Sequence, residues 1–210
     1  DQPNDWTPVL QRIKNDLDNN FELISTATSE LYFQQRTAGA KIASIETQPS
    51  EISKMLTKAI ALHESGDGAS AESLCIKVME YEQDNFDATQ LLGALLLGRK
   101  HYECALALFE KAEKIDERQA ILFVNKGIAL KALGRVEDAL LSYNRALEID
   151  EKNADAYYNK GNLFRLLGRQ EEARSSYEIS CSLSPKNSLS FYNLGNCYRE
   201  LGHLDAALES

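Results

Sequence analysis

The feature that most constrains this 210-residue chain is a spacing of 34 residues that recurs over its last three quarters. Glycine, alanine and aromatic columns share that period without insertion. They comprise Gly93, Gly127, Gly161 and Gly195; Ala105, Ala139, Ala173 and Ala207; and Phe109, Tyr143 and Tyr177. A fixed period of this length is typical of an array of stacked repeats, in which one unit cannot bury its apolar face alone.

We number each unit from 1 to 34, with the glycine column at position 8. The complete units are then 52–85, 86–119, 120–153 and 154–187, and a partial unit covers 188–210. Positions 2–14 and 18–30 carry apolar residues at helical spacing, and a glycine turn lies between them. No proline occurs from 50 to 184, and the alternation typical of strands is missing. Each unit is therefore predicted to be a pair of helices.

The small residues of the columns have a packing role. Glycine at position 8 and alanine at position 20 would let the two helices of a pair approach closely. The aromatic residue at position 24 and the small residue at position 27 are expected to pack against the next unit. A large residue in place of Gly161 or Ala173 should therefore overpack the pair.

These columns resemble the tetratricopeptide repeat (TPR) family, and the segment from Tyr157 to Ala173 is close to its consensus. The resemblance covers about residues 52–210. Departures are Lys126 and Lys160 at position 7 and Glu117 and Glu151 at position 32. The resemblance implies an all-α fold, a right-handed α-solenoid of antiparallel helix pairs (a TPR superhelix). It also implies a protein-interaction scaffold whose concave face binds an extended peptide or a partner helix.

Helical phasing places positions 2, 6, 9 and 13, with 5 and 12 at the flank, on the face opposite the packing residues. In the family this face is concave and contacts ligands. The candidate peptide-binding residues are Asn125, Asn159 and Asn193; Asn162 and Asn196; Tyr158 and Tyr192; and Lys131, Arg165 and Arg199.

The residue types of this face suit a peptide. Asparagine amides can pair with a peptide backbone, and the cations suit carboxylate or phosphate groups. The asparagine column is similar to that of O-linked N-acetylglucosamine transferases. The alternative is that these residues only cap or bridge helices or face solvent. No lysine stands at position 5, so the carboxylate clamp that grips chaperone tails is not expected.

Composition excludes several other functions. A net charge of −9 disfavours general nucleic-acid binding, and no apolar stretch is long enough for membrane insertion. No catalytic motif, zinc spacing or cofactor motif appears, so we expect neither an enzyme nor a cofactor. The four cysteines are expected to be free buried thiols of a cytoplasmic protein. Because no initiator Met is present, an exported origin with a removed signal stays open.

Residues 1–51 do not continue the repeat. A heptad-like apolar stripe through Leu17, Phe21 and Ile24 predicts an N-terminal helical extension or cap that packs on the array. Two alternatives stay open for residues 1–51. They could form a homodimer through this stripe, or they could lie in the groove of another molecule. The interrupted last unit suggests a fragment of a longer protein. Two other functions therefore stay open, a substrate-recruiting module of a larger enzyme such as a glycosyltransferase, and a homo-oligomerising assembly protein.

Overall fold

The computed structural model describes residues 49–203, and within that range the chain forms only helices joined by short turns. The helices are α1 (Pro49–Glu64), α2 (Gly68–Tyr81), α3 (Phe86–Gly98), α4 (Tyr102–Ile115), α5 (Ala120–Ala132), α6 (Val136–Ile149), α7 (Ala154–Leu166), α8 (Gln170–Leu183) and α9 (Ser188–Glu200). The predicted all-α array of helix pairs is confirmed. The predicted N-terminal extension and the second helix of the last unit lie outside the described residues.

In three units, the asparagine at position 34 is the N-cap residue of the first helix of the next unit. The side-chain oxygen of Asn85 accepts a hydrogen bond from the Ala88 amide at 3.0 Å, and Asn153 does the same for Ala156 at 2.9 Å. Asn187 repeats the cap before α9. Such caps satisfy amides that have no partner within the helix. The period of 34 therefore fixes helix starts as well as helix packing.

The turn inside each unit requires a left-handed residue at position 15. Gly134, Gly168 and Gly202 hold φ angles of +75°, +71° and +81° there. In the unit 86–119 the same position is Lys100, with φ +67°. A Cβ atom makes this left-handed conformation unfavourable, and glycine, which has no Cβ, adopts it without that penalty.

The two helices of a unit pack through a contact between glycine and an aromatic ring. A Cβ atom on Gly127 would lie 2.4 Å from Cε1 of Tyr143, and one on Gly161 would lie 2.7 Å from Cε1 of Tyr177. Each ring therefore lies on the glycine of its own unit. The sequence pattern predicted that the ring packs against the next unit. Tyr177 also joins a core cluster with Leu194 of the next unit, so both contacts exist.

The first helices of neighbouring units form one side of the array. α3 contacts α5, and α5 contacts α7, whereas the second helices approach one another less closely. The residues of α5, α7 and α9 that point away from the second helices therefore share one side of the array.

Candidate functional site

Three first helices present the same five positions of the repeat, which we call the inner face. Positions 2, 5, 6, 9 and 12 follow helical i, i+3, i+4 spacing, so they share one side of each helix. The inner face comprises Ile121, Val124, Asn125, Ile128 and Lys131 of α5; Asp155, Tyr158, Asn159, Asn162 and Arg165 of α7; and Leu189, Tyr192, Asn193, Asn196 and Arg199 of α9. All ten candidate residues from the sequence lie on it.

Asn193 is the centre of a hydrogen-bonded network that joins α7 to α9. Its Oδ1 accepts from Nη1 of Arg165 at 3.1 Å. Its Nδ2 donates to Oη of Tyr158 and to Oδ1 of Asn162, both at 3.3 Å. Only 9% of Asn193 is exposed. Bridging between helices, the alternative weighed from the sequence, therefore describes Asn193.

The other two asparagines of position 6 differ from Asn193. Asn159 donates from Nδ2 to the carbonyl of Asp155 in its own helix at 2.9 Å. Asn125 is half-buried and has no hydrogen-bond partner among residues 49–203. Position 6 therefore offers polar atoms to a ligand mainly from α5 and α7.

The partners of Asn193 come from positions 5, 9 and 12 of the preceding unit. For Asn193 these are Tyr158, Asn162 and Arg165, all polar. For Asn125, position 5 is the polar Gln90, to which it forms no hydrogen bond, and positions 9 and 12 are Ala94 and Leu97, which cannot bond an amide. Comparing positions 9 and 12 between adjacent units would have indicated the network from the sequence.

Tyr177 completes the network beneath the inner face. Its Oη donates to Oδ1 of Asn162 at 2.7 Å, and its ring lies 6.0 Å from that of Tyr158. The equivalent hydroxyl of Tyr143 is buried without a hydrogen-bond partner among the described residues. In that unit Ile128 occupies the position of Asn162, and its side chain has no hydrogen-bond acceptor. An unpaired buried hydroxyl costs free energy, whereas a paired one is nearly neutral or favourable.

Removing each hydroxyl should therefore have opposite effects. We expect Tyr143→Phe to raise the free energy of unfolding by up to about 1 kcal/mol, because an unsatisfied group is lost. We expect Tyr177→Phe to lower it by about 1 kcal/mol, because Asn162 loses the shorter of its two hydrogen bonds from donors. Urea unfolding followed by circular dichroism measures both. Equal effects of the two variants would contradict the argument.

Large apolar side chains are exposed beside these polar groups. Tyr192 is 68% exposed and Leu189 is 60% exposed, and they are neighbours on one side of α9. Ile121 holds the position of Leu189 on α5 and is also exposed. Leu189 and Ile121 were not singled out from the sequence. The sequence pattern that could have identified them is an apolar residue at position 2, which lies on the face of the helix opposite the packing residues.

The cations of position 12 lie at the opposite end of the inner face. Partial burial lowers the pKa of the Lys131 ammonium. Arg165 donates to Asn193, and Arg199 donates from Nη2 to Oδ1 of Asn196 at 2.9 Å. The face therefore runs from apolar groups near the start of α9 to positive charge near the ends of the helices.

Residues 49–203 contain neither a candidate metal site nor a candidate membrane span. No group of three His, Cys, Asp or Glu side chains lies close enough together to hold a metal ion. No helix in the same range has the length and apolar character that a membrane span needs. Cys75, Cys104, Cys181 and Cys197 are free and buried, as predicted.

Family models match the C-terminal part of the array. A model described as TPR repeat matches residues 127–164. Models described as tetratricopeptide repeat match residues 154–187 and 176–209. A search of curated proteins found no match to this chain.

Solved structures share the fold. MamA is 22% identical with a TM-score of 0.62, and the match covers 72% of this chain and 88% of that one. YrrB, whose structure is described as a TPR protein with an unusual peptide-binding site, is 25% identical with a TM-score of 0.57, over 74% and 80%. An O-GlcNAc transferase mutant of Thermobaculum terrenum is 26% identical with a TM-score of 0.60, over 62% of this chain and 26% of that chain.

Proposed function

Because this chain carries tetratricopeptide repeats, we propose that it is a protein-interaction scaffold that binds an extended peptide along the inner face. The observation that carries the proposal is the exposure of Tyr192 and Leu189 directly beside the network of Asn193. Exposed aromatic and aliphatic side chains next to oriented polar groups are typical of binding sites.

The polar part of the face can pair with a peptide backbone. Asn125 has both donors and its acceptor free of partners among the described residues, and Asn159 keeps its carbonyl oxygen for a ligand. A backbone amide needs one acceptor and one donor, which a carboxamide supplies in one plane. Main-chain pairing of this kind gives affinity, while side-chain pockets give specificity.

The comparisons support the same function at a coarser level. YrrB, which is described as having a peptide-binding site, shares the fold of this chain. Its site is not assumed to use the same residues. For this chain the proposal rests on the inner face itself.

Replacing Tyr192 by alanine should weaken peptide binding at least tenfold. The probe is a 12-residue peptide selected against the full chain from a random phage library, with affinity measured by calorimetry. Removal of a large exposed aromatic anchor costs binding free energy without opening the core. The double variant Asn125→Ala/Asn159→Ala should give a similar loss. Asn193 is left intact because its burial makes it part of the fold.

Leu141→Ala is the matched control. Leu141 is as exposed as Tyr192 but lies on α6, a second helix. We expect its affinity to stay within twofold of that of the unchanged chain. Selected peptides that bind the Tyr192 and asparagine variants as tightly as the unchanged chain would overturn the proposal.

The match to an O-GlcNAc transferase favours a second candidate, a substrate-recruiting module of a larger enzyme. The same inner face would then hold the substrate chain. The gene sequence on either side of these 210 residues distinguishes the two candidates, since the second requires a catalytic domain. Homodimer formation through residues 1–51 is a separate hypothesis that light scattering with and without residues 1–48 would test.

A further inference from the structure

We propose that the peptide bound on the inner face is acidic, and that its carboxylates pair with Lys131, Arg165 and Arg199. These three residues, all at position 12, are called the basic column. The inference rests on the proposed function and adds the chemical class of the ligand to it. It follows from how the described arginines are paired in this acidic chain.

Every other arginine of residues 49–203 pairs with a carboxylate of this chain. The pairs are Arg99 with Glu72, Arg118 with Asp116, Arg135 with Asp138, Arg145 with Glu148, Arg169 with Glu172, and Arg174 with Glu171 and Glu178. Arg165 and Arg199 bond instead to the neutral amides of Asn193 and Asn196. Within the described residues neither has an ion pair. Their positive charge is therefore available to a ligand.

The asparagines hold these guanidinium groups in place without neutralising them. A guanidinium carries five N–H donors, and one bond to Asn193 or Asn196 leaves most of them free. Arginine binds carboxylates best through two parallel hydrogen bonds, so an oriented group loses less entropy on binding. Guanidinium groups already paired to carboxylates of this chain, such as Arg135 to Asp138 or Arg169 to Glu172, could not act in this way.

Lys131 extends the column onto α5. Its ammonium is partly buried, has no ion pair or hydrogen bond among residues 49–203, and burial lowers its pKa. Removing water from an unpaired charge costs free energy, and a bound anion would recover it. The acidic residues on α5, α7 and α9 are Asp155, at the other end of the inner face, and Glu200, next to Arg199. Neither forms an ion pair with the column in the described part of the chain.

The spacing of the column suggests the spacing of the ligand's acids. Packed helices lie roughly 8–10 Å apart, and the three cations sit at equivalent positions on successive first helices. A polyproline II segment advances about 3.1 Å per residue with three residues per turn, so every third side chain lies on one side about 9 Å apart. An acidic residue at every third position would therefore meet one cation per repeat.

Two synthetic peptides of equal length test the proposal, four repeats of Glu-Pro-Ala and four repeats of Gln-Pro-Ala. Calorimetry on the full chain in low salt should show the glutamate peptide binding at least tenfold tighter. The difference should shrink as salt is raised, because exposed ion pairs are screened. The pKa of Lys131, followed by NMR of its side chain, should rise when the glutamate peptide binds.

Lys131→Gln and the double variant Arg165→Gln/Arg199→Gln should each remove much of the preference for glutamate. Lys131 has no described hydrogen bond to lose, so its variant should fold normally. Arg135→Gln is the control, since Arg135 is an exposed arginine paired with Asp138, and it should change affinity less than twofold. Circular dichroism spectra confirm that each variant is folded.

Equal affinity for the two peptides, or glutamate binding that survives both variants, would overturn the acidic ligand. If phage-selected peptides still depend on Tyr192 in that case, the proposed function stands alone. If they do not, both proposals fail. Tighter binding of a twelve-residue oligothymidine than of the glutamate peptide would also overturn the inference, because a phosphate ligand would then be preferred.

Discussion

Replacing Gly127 by alanine is expected to lower the free energy of unfolding by about 3 kcal/mol, the upper end for overpacking a core. The new Cβ would lie 2.4 Å from Cε1 of Tyr143 and within 3 Å of two further atoms of the same ring. The ring is fully buried, and the glycine lies inside α5, so neither side can move cheaply. The loss should exceed the gain of up to about 1 kcal/mol in helix propensity.

Gly98→Ala is the control for this prediction. Gly98 is the last residue of α3, and no atom lies within 4 Å of its added Cβ. The substitution should be neutral or slightly stabilising, because only helix propensity changes. Urea unfolding followed by circular dichroism measures both variants. Equal effects at Gly127 and Gly98 would contradict the packing argument.

A rescue variant tests the cause directly. Tyr143→Leu removes the ring that the new methyl group would meet, so Gly127→Ala should cost less in that background. Because each unit contacts mainly its neighbours, a local loss should also destabilise the adjoining units. Failure of the rescue would point to the backbone of α5 as the source of the loss.

The fold followed from the sequence because repetition makes local geometry visible. Gly93, Gly127 and Gly161 recur at one spacing since each must accept a ring, and a mutated column would break the array. The period alone does not say whether the ring at position 24 meets its own glycine or the next unit. Both fit the spacing, and only the relative tilt of the helices decides.

The site was predicted by position and not by role. Asn125 and Asn193 are the same residue type at the same position, yet Asn193 is buried in a network and Asn125 has no described partner. The difference arises from the preceding unit, which supplies Arg165 and Asn162 to Asn193 but Leu97 and Ala94 to Asn125. Comparing residues at one repeat position cannot detect this difference, because the hydrogen bonds join different repeat positions of adjacent units.

Glu72 is a second residue whose role was not visible from periodicity. It lies at position 21, where the next two units have Leu106 and Leu140, so a charged residue replaces an apolar one. The structure buries it to 3% exposure, and Oε2 accepts from Nη1 of Arg99 at 2.9 Å. Oε1 is buried with no hydrogen-bond partner among the described residues.

The stability of the array is therefore expected to fall as pH rises from about 4.5 to about 7. Burial raises the pKa of Glu72 to about 7, and Arg99 offsets only part of this effect. The unfolded chain releases the proton near its ordinary pKa of 4.5, while the folded chain keeps it. Each unit of pKa difference corresponds to about 1.4 kcal/mol, so Glu72 should contribute a loss of about 3 kcal/mol.

Glu72→Gln isolates this contribution. At pH 3 the variant and the unchanged chain should have similar free energies of unfolding, because Glu72 is then largely protonated in both the folded and the unfolded state. At pH 8 the variant should be more stable by about 1–3 kcal/mol, since no buried carboxylate remains to be ionised. Arg99 is 29% exposed on its side chain, so water can still reach it when its charged partner is gone.

The difference between the two stability curves is the decisive measurement, because the other acids titrate in both proteins. Glu148→Gln, which removes an exposed carboxylate paired with Arg145, should change the free energy of unfolding by less than about 0.5 kcal/mol at either pH. A Glu72→Gln curve parallel to that of the unchanged chain would mean that Glu72 is ionised and well solvated in the folded array. A variant less stable at pH 8 would mean that the pairing with Arg99 outweighs the burial of the charge.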